Sequence, residues 1–403
     1  MKIAVLLGDG MSGLPLEELG GRTTLEAAST PNMDRLAREG VLGMAKTVPD
    51  GYPAGSDVAN LSVFGFDPAE CYTGRAPIEA AAMGVDLGPD DVAYRMNLVT
   101  LLMGQSQVYM HDFTADHISN EEAAAVVKTL SEELSEDGLE FYPGVGYRNL
   151  MVWRGGEDGA KTTPPHDITG QPIHEHFPQG AGADKLLDLM LSSQMVLKRH
   201  PVNQARREEG RLEVNSSWLW GQGKRPRVER YDEKFGLTGT VISAVDLLKG
   251  IGILAGLDAP DIEGATGYID TNYENKVNAA LEGLGRGDFV YVHIEAPDET
   301  GHQGDMEKKL GAIEAFDEKV VGPIVSALEN SGEEFRVIIM PDHPTPIAHR
   351  THISDAVPFI LYGTGVEGPS GEGYNEKLGA ATGLYLPEAH KLMAHVTGQV
   401  KLW

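Results

Sequence analysis

The chain has 403 residues, 41% of them hydrophobic and 23% charged, with a formal net charge of −27. That is enough chain for two or three globular domains, and the acidic balance argues against nucleic acid or an anionic membrane surface as a main partner, while one locally positive pocket would still suffice for a small phosphorylated molecule. The single Cys71 excludes an intrachain disulfide, the apolar run Ile3–Leu7 is too short for a signal-peptide core, and the apolar stretch 241–257 is broken by Asp246 and Lys249, so a cytoplasmic protein is expected.

In chain order, Ile3–Leu7 reads as a buried strand of the parallel-sheet kind that runs into Gly8-Asp9-Gly10. The glycines permit a tight turn and leave Asp9 at the strand's C-terminal end, as a turn aspartate or a metal ligand. Thr30-Pro31 predicts a helix capped by Thr30 and closed at Gly40. The small-residue turn Pro53-Ala54-Gly55 then presents Ser56 at the start of a further helix. Ser56 is either an N-cap or a nucleophile, and as a nucleophile it needs a base or a metal, because no histidine lies near it in sequence. Tyr72-Thr73-Gly74-Arg75 adds an arginine suited to phosphate.

From about Asp86 the character changes. Val92–Leu102 reads as one or two strands, Ser119 to Glu122 as a capping box opening a helix to about Leu134, and 139–142 and 147–153 as strands. Mixed elements without a βαβ rhythm predict an α+β insertion. It holds polar groups without an evident structural purpose: Asp116-His117, Arg148 and His166-Asp167. Ten of the 33 Lys and Arg lie between Lys198 and Lys234, most of them read as a solvated basic face.

Ser243, with Asp246 three residues on, predicts another capped helix, and a polar loop from Gly264 leads past Lys276 into a helix over 277–284. Asp288–Ile294 is a buried strand that ends in Glu295-Ala296-Pro297-Asp298-Glu299-Thr300-Gly301-His302, whose four-residue Asp298/His302 spacing puts both side chains on one side of a turn. A helix over 310–324, ended or kinked by Pro323, leads to the strand Phe335–Met340. That strand stops at Pro341-Asp342-His343-Pro344, and His352 precedes a last strand over 357–361. Three strand ends thus supply the carboxylates Asp9, Asp298 and Asp342 and the imidazoles His302, His343 and His352 at one edge of an expected parallel sheet. This is donor enough for two divalent ions about 4 Å apart. The donor types suit Mn, with Zn, Fe or Co also compatible. The native metal and the oligomeric state are left open.

Taken together, Asp9 after the first strand, AGSDVANLS around Ser56, PDETGH, PDH and RTHISDAVP resemble the alkaline phosphatase superfamily. YTGRAPIEAAAMGVDL, GATGYIDTNYENK and VHIEAPDETGHQGD are similar to the compact archaeal-type cofactor-independent phosphoglycerate mutases. The resemblance covers nearly the whole chain. It implies an α/β, alkaline-phosphatase-like sheet flanked by helices (residues 1–88 and 238–403), interrupted by a smaller α+β substrate-binding domain (89–237). It implies one metal on Asp298, His302 and His352 and another on Asp9, Ser56, Asp342 and His343, with Ser56 becoming phosphoserine. Arg75, His117, Arg148, His166, Asp167 and Lys276 are the implied substrate residues. The implied reaction interconverts 3-phosphoglycerate and 2-phosphoglycerate without bisphosphoglycerate, with linkers near Pro89 and Leu237 closing over the phosphoserine. The same branch includes proposed homoserine kinases, which DHISNEEA, FYPGVGYRNLMV, PPHDITG and DHPTPIAHRTH also resemble; a related phosphatase is the remaining alternative. No Walker A sequence is present, which weighs against a P-loop kinase alone.

Overall fold

The computed structural model describes residues 1–136 and 138–403. Two compact units are present, one formed by 1–72 with 227–403 and the other by 73–226. These limits fall earlier in the chain than the sequence boundaries at 88/89 and 237/238. On one side, the helix Ala76–Ala82 buries Ala76 and Ala80 against Ala93, Leu150 and Val152 of the second unit. On the other, Tyr231 donates its hydroxyl to Phe64 O at 2.5 Å and packs 4.8 Å from Phe289, which ties that segment to the first unit. Neither tie shows in a sequence window, because a seven-residue helix carries too little periodicity and one aromatic anchor carries none.

The first unit is built on a seven-stranded sheet in the order 239–242, 289–294, 2–8, 335–340, 357–363, 41–45, 385–386. The first four strands are mutually parallel, and 357–363 runs antiparallel between 335–340 and 41–45, so the sheet is mixed rather than wholly parallel. Every residue of Phe289–Ile294 is buried, as is all of Lys2–Gly8 after Lys2. Continuous apolar runs are what a strand covered on both faces demands. The core gathers Leu6, Val292 and Ile339 from the strands with Phe316, Val320 and Ile324 from a covering helix. That helix does not simply kink at Pro323: a π-helical turn over Asp317–Val321 interrupts it first.

Two predicted caps are not made, and at one of them a longer-range partner takes over. Thr30 occupies the N-cap position of Pro31–Glu39 but makes no side-chain cap; Asp317 instead accepts from Asn32 N at 3.1 Å and Met33 N at 2.7 Å. Ser243 does not open a helix, which starts at Asp246; its hydroxyl meets Val245 N and the ring of His293.

The second unit is an antiparallel sheet centred on one long strand, Val92–Met103, which pairs with 108–112, 148–153 and 216–223, while 139–145 pairs with 148–153. Val126, Leu130, Leu186 and Met190, from the helices 120–134 and 183–197, pack with Tyr94, Met96 and Trp218 in one core. Among the described residues no helix is long and apolar enough to cross a membrane.

Candidate active site

In-register parallel pairing decides where the polar residues end up. Leu7 lies beside Met340 and Gly8 beside Ile294, so the three strands finish at one edge, followed by Asp9, Asp342 and the segment leading to Asp298. The turn after the first strand needs glycine. Gly10 has φ +60°, and a Cβ there would stand 2.6 Å from both Asp298 Oδ1 and Thr345 Oγ1. Its amide donates to Asp342 Oδ1 at 3.2 Å. Gly55 meets a similar restriction, since a Cβ would lie 2.6 Å from Asp57 Oδ1. Gly55 takes the N-cap position of the helix Ser56–Val63 and makes Ser56 the first helical residue, which frees the serine hydroxyl from capping.

That hydroxyl lies 3.0 Å from His343 Nε2. The same nitrogen is 3.3 Å from Asp342 Oδ2 and 3.7 Å from Asp9 Oδ1. Ligand atoms of Asp9, Asp342 and His343 all lie within 4.8 Å of one another, and so do those of Asp298, His343 and His352. His302 Nε2 is 3.2 Å from Asp298 Oδ2 and 2.9 Å from His352 Nε2. All seven residues expected as metal ligands or nucleophile are therefore brought together, with His343 shared between the two groups.

Several observations show that these donors fit cations. Asp9 Oδ1 is buried and has no hydrogen-bond partner. Burial, and then the charges of Asp342 and Asp298, push the Asp9 carboxyl well above the usual range, the signature of acids crowded without a counter-charge. His302 Nδ1 faces Arg350 O at 3.0 Å and His352 Nδ1 faces Ala54 O at 3.3 Å. A ring nitrogen facing a carbonyl carries the proton, so both Nε2 lone pairs point at each other and at Asp298. With protons on both Nε2 atoms in place of a metal, burial works against an ionised Asp298, yet hydrogen bonds from His302 and His352 hold it well below the usual range. The same carboxylate outweighs burial at His302 and raises that imidazole to about 9. A divalent ion held by Asp298 and these imidazoles would supply the positive charge that a proton otherwise provides. Burial lowers His343 to about 4, so it is a neutral, ligating imidazole at neutral pH.

A further ring of residues, unseen in the sequence, fixes the ligands. Asn60, one helical turn after Ser56, donates to Ser56 O at 2.9 Å and to Asp342 Oδ2 at 2.8 Å, and Tyr291 OH donates to Asn60 Oδ1 at 2.6 Å. His293 Nε2 meets Asp9 Oδ2 at 2.7 Å, with Ser243 Oγ 3.1 Å from its Nδ1. Burial brings His293 down to about 3, so it donates to Asp9 as a neutral ring. The buried Lys309 ammonium donates to Gly10 O at 2.7 Å and Thr345 O at 2.6 Å, tying two ligand-bearing loops together. The i, i+4 relation of Ser56 and Asn60 was the one readable signal; the other contacts join residues remote in sequence.

The expected substrate residues divide. Lys276 is wholly buried in the first unit, where its ammonium reaches Thr266 O and His293 O at 3.4 and 3.3 Å and burial brings it down to about 8. It stands behind the Asp9–His293 contact, with no surface open to a soluble ligand. The other five lie in the second unit. His166 packs edge-on against Trp220 and Phe113, at 5.3 and 5.9 Å, beside the exposed Asp167. Arg148 is exposed over the Tyr147 ring at 5.3 Å, and Arg75 bonds Glu79 at 2.9 Å. His117 is exposed on three consecutive left-handed residues, Ala115, Asp116 and His117, with φ of 48°, 57° and 48°. Each such residue costs roughly 1–2 kcal/mol. Asp112 holds the turn by accepting from Thr114 N at 2.7 Å and Asp116 N at 2.9 Å, and the buried Arg206 donates to Ala115 O.

A hydroxyl set among buried carboxylates and imidazoles at the C-terminal edge of an α/β sheet defines a metal-dependent phosphotransferase class of site. Comparison with known proteins narrows the class. The family model for 2,3-bisphosphoglycerate-independent phosphoglycerate mutase matches residues 37–203. A Geobacter sulfurreducens protein named as a probable 2,3-bisphosphoglycerate-independent phosphoglycerate mutase is 56% identical over 98% of both chains. A Methanosarcina barkeri protein named as that mutase is 51% identical, also over 98% of both. Among solved structures, a Pyrococcus horikoshii protein has a TM-score of 0.81 at 29% identity, covering 100% of this chain and 98% of its own. The cofactor-independent phosphoglycerate mutase of Thermoplasma acidophilum shares the fold at a TM-score of 0.62 and 24% identity, covering 99% of each chain. The chain belongs to the 2,3-bisphosphoglycerate-independent phosphoglycerate mutase family.

Proposed function

We propose that this enzyme interconverts 3-phosphoglycerate and 2-phosphoglycerate by phosphoryl transfer through Ser56. Beyond the family, the observation that carries the reading is the Ser56 hydroxyl 3.0 Å from His343 Nε2, inside the ligand cluster and unused as a helix cap. Asp9, Asp342 and His343 would hold one divalent ion beside Ser56, and Asp298, His302 and His352 the other, with Mn the first choice and Zn, Fe or Co compatible. When bound, the two ions acidify the serine hydroxyl and screen the charge of the transferring phosphoryl group. Ser56 Oγ attacks phosphorus as the substrate's ester oxygen leaves. The glycerate then takes the group back on its other hydroxyl and restores the serine. Backbone N–H groups at the start of the Ser56–Val63 helix would be available to phosphoryl oxygens at Ser56. His117, Arg148, His166, Asp167 and Arg75 are proposed to hold the acid. Lys276 acts from behind, fixing the backbone at His293. A cytoplasmic setting completes the proposal, supported by the lone buried thiol of Cys71.

The test offers the manganese-loaded protein 3-phosphoglycerate alone, then homoserine with ATP. The expected result is 2-phosphoglycerate without added bisphosphoglycerate, and a phosphopeptide at Ser56 after an acid quench. Homoserine phosphate without mutase turnover would replace the reading by a kinase, and inorganic phosphate alone by a hydrolase.

A further inference from the structure

One buried cation joins the three segments that follow the ligand-bearing strands. Lys309 lies on the helix Met306–Phe316, shortly after the helix Ala296–Gln303 that bears Asp298 and His302, and it is wholly buried. Its Nζ donates to Gly10 O at 2.7 Å, to Thr345 O at 2.6 Å and to Ser12 O at 3.3 Å. Three carbonyl acceptors use all three protons of an ammonium, which a neutral amine could not supply. Burial brings the group down to about 8, against the charges of Asp298, Glu376 and Asp9. A charged side chain taken out of water needs such partners, and here they are the backbones of the loops beside Asp9 and His343.

Thr345 passes this tie on to the ligands. Its amide donates to Ser12 O at 3.0 Å, and its hydroxyl donates to Asp298 Oδ1. The hydroxyl has a single proton, so toward His343 Nδ1, 3.3 Å away, it is the acceptor. A proton on Nδ1 leaves the lone pair on Nε2, the nitrogen that lies 3.0 Å from Ser56 Oγ. The fit around Thr345 is close. A Cβ at Gly301, between Asp298 and His302 in the chain, would stand 2.8 Å from the carbonyl that Lys309 holds. Asp298 belongs to one ligand group and His343 to both, so one threonine side chain bridges the two. We infer that Lys309 and Thr345 are a positioning pair that sets the spacing of the two proposed ions. Lys309 fixes the Gly10 and Thr345 carbonyls, and Thr345 orients Asp298 and His343. Neither belongs to the ligand set; each acts through it.

The inference rests on the two-ion reading of the site, and the sign of one effect tests it. An ammonium near a cation site repels the ions. If Lys309 contributed only its charge, Lys309→Met would therefore tighten manganese binding. If Lys309 positions the ligands, the same change weakens it. The measurement uses the full chain stripped of metal, titrated with manganese against a chelating dye at a temperature where each variant stays folded. Lys309→Met should weaken binding about tenfold or more, the scale for residues that orient metal ligands. Thr345→Val removes the hydroxyl without changing charge, keeps the carbonyl that Lys309 holds, and should weaken binding likewise. A residue that only stabilised the fold would lower the melting temperature and leave the affinity of the folded protein alone. Electron paramagnetic resonance gives a second readout. The unaltered protein loaded with two equivalents of manganese should show a spin-coupled pair, and the variants a larger share of the signal of isolated ions. Should Lys309→Met fail to fold, Thr345→Val carries the test. Binding that stays level or tightens in whichever variants fold, or a pair spectrum identical to that of the unaltered protein, overturns the positioning role. Binding of fewer than two manganese ions by the unaltered protein would instead overturn the two-ion reading, before any variant is compared.

Discussion

The two polar regions differ in how their side chains are held. At the sheet edge of the first unit, Asp9, Asp342 and His343 are almost wholly buried, and each is gripped by a partner: His293 on Asp9, Asn60 on Asp342, Ser56 on His343. On the second unit, His117, Arg148 and Asp167 are exposed, and their order comes from the backbone beneath them. On the proposed reading, the contrast follows from what each would bind. Two small, highly charged ions demand donors fixed to within a few tenths of an ångström, which burial and hydrogen bonds provide. The acid proposed for the second unit would bring its own shape and water, a task that exposed side chains suit.

The contrast can be broken at its strongest point. Ser56→Ala should abolish mutase turnover, a loss on the order of 10⁴-fold or more by the scale of nucleophile deletions in other enzymes, while the remaining six ligands still bind metal. Retention of even a tenth of the activity, measured by 2-phosphoglycerate formation, would remove Ser56 from the reaction. Next in size is Asp342→Ala, which should cost about one bound divalent ion per chain, counted by elemental analysis, together with most of the rate. Full activity in a chelated, metal-free preparation would defeat that assignment. Asn60→Ala leaves every ligand in place but frees Asp342 Oδ2 and the Ser56 carbonyl. Metal affinity or activity should drop roughly 10–100-fold, the range for residues that orient metal ligands. An unchanged manganese titration and rate would make the region less tightly organised than its hydrogen bonds imply.

The smallest effect sharpens the comparison from the other side. Arg148→Ala should raise KM for 3-phosphoglycerate about tenfold, the scale of one charged hydrogen bond of roughly 1.5–3 kcal/mol, and leave metal content and melting temperature unchanged. A loss of metal would mean that the two regions are not separable as described.

The same difference explains what could be read from sequence. Asp9, Asp298 and Asp342 follow buried strands, and parallel register delivers such residues to one edge, so the expected donors at the strand ends were legible as three short motifs, while Ser56 and His352 came from motifs of their own. Asn60 gave a weak signal through its spacing from Ser56. His293 lies inside the apolar strand 288–294 and Lys309 just ahead of the helix expected over 310–324, positions without a motif of their own; only tertiary packing shows that the first meets Asp9 and the second binds Gly10 O and Thr345 O. Thr30 was read as a cap from a local rule, whereas Asp317, 285 positions from Asn32, fills the role. The compact units divide at 72/73 and 226/227 rather than at the expected 88/89 and 237/238, and single packing anchors such as Tyr231 leave no pattern in a window.

The left-handed turn at Ala115, Asp116 and His117 has a consequence for the enzyme under selection. Glycine would adopt these angles without the steric cost, so substitution at Ala115 or Asp116 relieves strain that the native chain carries. A population selected for heat resistance alone has an inexpensive improvement available there, whereas one selected for turnover would keep the native turn if His117 serves the proposed reaction. Which of these residues a heat-adapted lineage gives up first would show whether that lineage was limited by folding or by flux through the reaction.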